Sequence, residues 1–198
     1  MSTDSAWRAD RRRYPPRAWL REQSLWAVAV YRFGRWVDRE WQGPIHWVLT
    51  RFYWTAYRVV ETLTGISLPK TVEVGPGLRI WHFGNVVIHE DTRIGANCTL
   101  RHGVTIGNAR EGGPIPVIGD NVEFGAYAQV LGGIRVGSGA RIGAMSVVLR
   151  DVPPGATAVG VPARIIQRPR PTGGPQDEPV PGGEGETRSP RNSVPMGA

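Results

Sequence analysis

The chain has 198 residues, 40% apolar and 21% charged, with a formal charge of +7 and one cysteine. That suffices for one globular domain with a buried core and an appendage, and it excludes an internal disulfide or a multi-cysteine zinc site. Of 24 basic residues only Lys70 is a lysine, a bias that reads as genomic composition rather than selection for phosphate, so no nucleic-acid partner is expected. No signal-type apolar segment opens the sequence, and no apolar run nears the roughly 18 to 20 residues that span a bilayer. The expected setting is a reducing cytoplasm, for a soluble or surface-bound protein.

Residues 1–70 form a region rich in Trp and Arg, with seven of the eight tryptophans in the first 54 residues and twelve basic against six acidic side chains up to residue 70. Helical patterns run over about 17–37 and 44–63. In the second, Ile45, Leu49, Phe52, Ala56, Val59 and Leu63 recur at spacings of three and four. Gly43-Pro44 separates the two helices. At the other end, residues 167–198 contain 13 prolines and glycines and almost no large apolar side chain, which predicts a disordered tail.

Between them, over residues 71–166, an aliphatic or aromatic residue returns every sixth position: Ile88, Ile94, Leu100 and Ile106, then Ile118, Phe124, Val130, Val136, Ile142 and Val148. Glycine often follows it, and a small or medium residue stands four places on, as at Thr92, Cys98, Val104, Ala128 and Ser146. Neither an amphipathic helix nor an alternating strand has a period of six. A flat-sided β-solenoid does, with three hexapeptides per triangular coil, both apolar positions inward and glycines easing the corners. Cys98 is then a core residue.

The register breaks between Ile80 and Ile88, and between Ile106 and Ile118 where NAREGGPIPV loops out. Such interruptions commonly mark a functional face. His82 and His102 each lie two places beyond an apolar position, twenty residues apart, so with the lengthened coil they stack on one face about 4.8 Å apart. They either share a substrate or form an outward ladder without function. His89 and His46 read as structural or solvated. No metal-ligand spacing, P-loop or G-x-S-x-G elbow is present, so neither a metal nor a serine nucleophile is expected. A histidine is suited to taking a proton from an alcohol during attack on an electrophile, which points to transfer onto a hydroxyl.

The segments GPGLRIWHFGNVVI, CTLRHGVTIGN and VLGGIRVGSGARIGAMSVVLRDVPPGATAVGVPARII resemble the left-handed β-helix acyltransferases, in particular serine acetyltransferases and their relatives in exopolysaccharide gene clusters. The resemblance covers roughly residues 66–166. It implies a mainly β fold, a left-handed parallel β-helix preceded by a short α-helical region, assembled as a homotrimer with acetyl-CoA between neighbouring subunits. It makes His82 the catalytic base, with His102 a second catalytic candidate. Gly107, Ala126 and Ala144 match positions lining the pantetheine arm, Arg164 matches a basic position near the coenzyme A phosphates, and Arg110 could assist by charge.

Three positions depart from the serine enzymes: Ser67 stands for an aspartate that orients the base, Trp81 for an aspartate immediately before it, and Ile115 for a loop histidine. Trp81 offers a face for stacking on a sugar ring. The leading expectation is therefore an O-acetyltransferase acting on a sugar hydroxyl in exopolysaccharide assembly, with L-serine as the alternative acceptor and a non-catalytic scaffold as the third reading. The N-terminal helices read as a cap on the first coil, or as a pair resting peripherally on an anionic membrane.

Overall fold

The computed structural model describes residues 3–166, so the expected tail at 167–198 lies outside the described residues. Four helices lead: α1 (Thr3–Arg12), α2 (Ala18–Arg21), α3 (Ser24–Glu40) and α4 (Gly43–Thr64). Pro44 sits in the first turn of α4, where its missing N–H costs nothing. Gly65 ends that helix in the left-handed conformation at φ 65°. The first expected helix is broken by Glu22 and Gln23 and extends three residues past Val37. Helix α1 has no counterpart in the sequence pattern.

The chain then winds into a triangular solenoid whose three faces are almost wholly parallel sheets. The first face stacks Ile66–Ser67, Val86–Ile88, Thr105–Gly107, Gln129–Leu131 and Val147–Val148. The second stacks Glu73–Val74, Arg93–Ile94, Val117–Ile118 and Arg135–Val136. The third stacks Arg79–Trp81, Thr99–Arg101, Glu123–Phe124, Arg141–Ile142 and Thr157–Val159, and the final strand Arg164–Ile166 closes it by pairing antiparallel. Both register breaks behave as expected. Ile80 pairs with Leu100 across the lengthened first coil, and Thr105 pairs with Gln129 across the coil that extrudes the loop.

Inside, the sixfold apolar positions and the small residues four places on share one buried cluster that includes Ile80, Leu100, Phe124 and Ile142 with Cys98, Val104, Ala128 and Ala140. Each such aliphatic contributes roughly 1.5–3 kcal/mol by leaving water. The glycines directly after the buried aliphatics, however, do not serve the corners by backbone freedom. Left-handed φ values fall two places further on, at Asn97, Asn121, Tyr127 and Met145 and, in other coils, at Gly77, Gly103, Gly139 and Gly155. A Cβ on Gly125 would meet Ala144 N at 2.4 Å, and one on Gly137 would meet Pro154 N at 2.4 Å. These glycines are required because successive coils touch backbone to backbone.

Cys98 is fully buried and donates from Sγ to Gly119 O at 3.2 Å. Burial pushes its thiol up from 9.0 to about 11. The folded chain therefore holds that proton more tightly than the unfolded one, a stabilisation present below about pH 9 and lost as pH rises toward 11. A water-soluble maleimide is expected to leave Cys98 unlabelled in the native protein and to label it on unfolding, as mass spectrometry would record; rapid native labelling would contradict this packing.

The helices close the first coil, whose backbone would otherwise present open edges. Arg32 donates to Val74 O at 3.0 Å and Gly75 O at 2.6 Å, and it pairs with fully buried Asp10. Arg13 donates to Gly77 O at 2.5 Å and Cys98 O at 3.0 Å. Ser24 donates to Ile80 O, and Tyr31 to Val72 O. Two of the N-terminal arginines are thus spent on carbonyls of the protein's own solenoid.

Candidate active site

The corner between the third and first faces carries the chemistry. His82 follows the strand Arg79–Trp81 and is exposed, with φ 66°. One coil on, the His102 ring stands edge to face with it, the centroids 5.8 Å apart and the planes at 71°. Tyr127 extends the column, its centroid 5.2 Å from His102 at 87°. Its amide donates to His102 O at 2.9 Å, and the Met145 amide donates to Ala126 O at 2.8 Å. His82, His102, Ala126 and Ala144 therefore share one corner in four successive coils.

His102 is half-buried, and its Nδ1 is sequestered without a hydrogen-bond partner among the described residues. Gly103 makes room for this column: at φ 73° it lies under Tyr127, and a Cβ there would come within 2.3 Å of that ring. Sequence reasoning missed Tyr127 because an outward position in one hexapeptide resembles every other. The signal was its place one coil above His102.

Trp81 is held from beneath. The buried Arg79 guanidinium lies 4.2 Å from the Trp81 ring and 3.9 Å from the Tyr14 ring, and it pairs with Glu22. This leaves the indole 45% exposed, with its centroid 6.3 Å from that of His82. Next to it runs a cleft of about 500 Å³ lined by Trp81, Arg101, Gly125, Arg141, Gly143 and Ala144. Small residues keep it open along the coil stack, and the guanidinium groups of Arg13, Arg101 and Arg141 outnumber the carboxylate of Glu123, which lies 3.6 Å from Arg141, so the cleft is net positive. It suits a narrow, extended ligand bearing anionic groups.

Ser67, at the place of the orienting aspartate, has its Oγ 3.0 Å from the Tyr57 hydroxyl, which donates to Glu61 Oε1 at 2.9 Å. Although burial opposes it, hydrogen bonding from Ser67 and Tyr57 and the nearby Arg58 charge lower the Glu61 carboxyl below its ordinary value. A carboxylate from α4 is thus linked to Ser67 through the Tyr57 hydroxyl, where the sequence pattern showed none.

The other candidates lie elsewhere on the subunit. Gly107 ends its strand at the next corner of the triangle, buried, and a Cβ there would sit 3.4 Å from His89 Cβ. From that corner the loop emerges with Arg110 exposed on a turn closed by Gly113 N donating to Arg110 O at 2.9 Å. Arg164 is exposed on the final antiparallel strand. One subunit therefore does not bring Gly107 or Arg110 to the histidine corner, whereas Arg164, in register with Val159 one coil beyond Gly143, stands at the far end of the face that lines the cleft.

Two family descriptions match within the solenoid, bacterial transferase hexapeptide (six repeats) over residues 115–150 and hexapeptide repeat of succinyl-transferase over residues 85–109. Serine acetyltransferase of Helicobacter pylori strain J99 is 44% identical over 125 residues, covering 61% of this chain and 73% of that protein. The structure of soybean serine acetyltransferase complexed with serine superposes with a TM-score of 0.69 at 32% identity, over 83% of this chain and 68% of the other. Serine acetyltransferase from Brucella abortus strain S19 in complex with coenzyme A gives a TM-score of 0.66 at 27% identity, over 83% and 66%.

Proposed function

Because this chain belongs to the serine acetyltransferase family of hexapeptide-repeat left-handed β-helices, and is thereby an acetyl-CoA acyltransferase, we propose that it acetylates the hydroxyl of L-serine with His82 as general base. The relatives favour serine over the sugar acceptor placed first by the sequence reading, and enzyme identity sets aside the scaffold reading. The observation that carries the proposal is the exposed His82, seated against His102 beside a positively charged cleft.

Acetyl-CoA supplies an activated acyl group as a thioester. His82 takes the proton from the acceptor hydroxyl as its oxygen bonds to the acyl carbon, and returns that proton to the departing thiolate. The small residues Ala126 and Ala144 leave room for a slender pantetheine arm, and Arg101 and Arg141 add positive charge beside it. No cysteine nucleophile is required, in keeping with the burial of Cys98.

Trp81 supports a second acceptor. With one face on Arg79 and the rest open beside His82, it offers C–H stacking to a sugar ring. A homotrimer is part of the same reading, since Gly107 and Arg110 reach a histidine corner only if a neighbouring copy presents its own. The cytoplasm is the proposed setting, which the single free thiol fits. Purified protein given acetyl-CoA and L-serine is expected to release free thiol stoichiometrically with O-acetylserine. Silence with serine alongside turnover of an oligosaccharide or sugar nucleotide would reverse the order of the two acceptors.

A further inference from the structure

The apolar seam of α4 does not face the core. Tyr53, Tyr57 and Thr64 are the buried residues of that helix, whereas Ile45, Val48, Phe52, Val59 and Leu63 lie on the outside, Phe52 62% and Leu63 64% exposed. Helical geometry lays these five along one stripe about 27 Å long. Phe33 meets Phe52 edge to face at 5.8 Å, and Trp36 and Trp41 continue the aromatic surface onto α3 and the turn beyond it. Helix α2 adds Trp19 and Leu20, the latter 81% exposed. Among the described residues, nothing of this chain covers this surface.

The charges around it are predominantly positive, although Asp38 and Glu40 are exposed on α3, Glu40 within 3.9 Å of Arg39. The acidic side chains of the helices are mostly engaged: Asp10 with Arg32, Glu22 with Arg79, Asp38 with Lys70 and His46, and Glu61 with Tyr57 and Arg58. Arg51 and Arg58 are exposed and seven residues apart, so they line one edge of the stripe, and Arg17 and Arg21 are exposed beside Trp19 and Leu20. A second copy meeting this surface through itself would bring guanidinium groups toward guanidinium groups. An anionic bilayer complements them, and Trp, Phe and Leu beneath a basic rim are the side chains that settle at its interface. No described helix is long and apolar enough to cross a membrane, so contact is along the surface.

We propose that the outer faces of α3 and α4 form a docking surface for an anionic phospholipid bilayer, with α4 lying in the interface and Arg51 and Arg58 at the headgroups. This holds whichever acceptor the site uses. The full chain is expected to sediment with vesicles of phosphatidylglycerol and phosphatidylcholine in equal parts at low salt, much less at high salt, and weakly with phosphatidylcholine alone. Phe52→Asp with Val59→Asp abolishes sedimentation. Arg21→Gln with Arg51→Gln, which leaves the apolar stripe intact, weakens partitioning about fivefold per arginine removed. Both pairs retain soluble acetyl transfer, which checks their folding. Absence of vesicle binding at low salt overturns the proposal. So does a concentration-dependent doubling of mass by light scattering that Phe52→Asp removes while vesicle binding stays nil, since a second copy then covers the face.

Discussion

Replacing His82 with alanine is expected to lower kcat for acetyl transfer by about a hundredfold to ten-thousandfold, the range a positioned general base commands. The Michaelis constant for acetyl-CoA should move little, because the exposed imidazole leaves the cleft lining of Arg101, Gly125 and Ala144 in place. His102 answers a different test. Its ring lies between His82 and Tyr127 with Nδ1 sequestered, so His102→Phe, which keeps an aromatic ring there, is expected to cost far less than His82→Ala. Full activity in His82→Ala, measured as thiol release from acetyl-CoA, would remove this corner from the chemistry.

The solenoid was legible because its core obeys a period that no other regular structure has. Ile88, Ile94, Leu100 and Ile106 announce coils and inward positions together, and the two register breaks fix where coils lengthen. The glycines were misread for a physical reason. A glycine after a buried aliphatic suggests a turn, but Gly125 and Gly137 are called for by the next coil's backbone, a contact eighteen or so residues away in sequence that local pattern cannot display. Helix α1 was missed because TDSAWRADRR lacks an apolar stripe. What secures it is Asp10, a charged residue that becomes fully buried only because Arg32 waits on α3.

The heptad of α4 shows the opposite failure. Ile45, Phe52, Val59 and Leu63 announce a helix correctly while their side chains look away from the core, since periodicity reports that a face is apolar and not what covers it. At the site, the pairing of His82 with His102 followed from counting residues per coil. The Glu61–Tyr57–Ser67 chain did not, because α4 and the first strand meet only in three dimensions.

That dependence of the solenoid on its helical cap sets up the largest expected loss of stability. Asp10 accepts from Arg32 Nε at 2.6 Å, from Arg32 Nη2 at 3.1 Å and from Leu78 N at 2.7 Å, and Arg32 reaches on to the first coil's carbonyls. Asp10→Ala strands a buried guanidinium and a buried amide together, and is expected to cost about 3–5 kcal/mol in urea unfolding. Truncating Glu73, whose pair with Arg93 is exposed on both sides, should cost under about 1 kcal/mol. Arg32→Met in the Asp10→Ala background should recover part of the loss, because it removes the charge left without a partner. The first coil also carries Trp81 and His82. Asp10→Ala should therefore keep near-normal kcat in the cold and lose activity on warming in step with unfolding. A variant as stable as the parent would mean that apolar packing alone holds the cap in place.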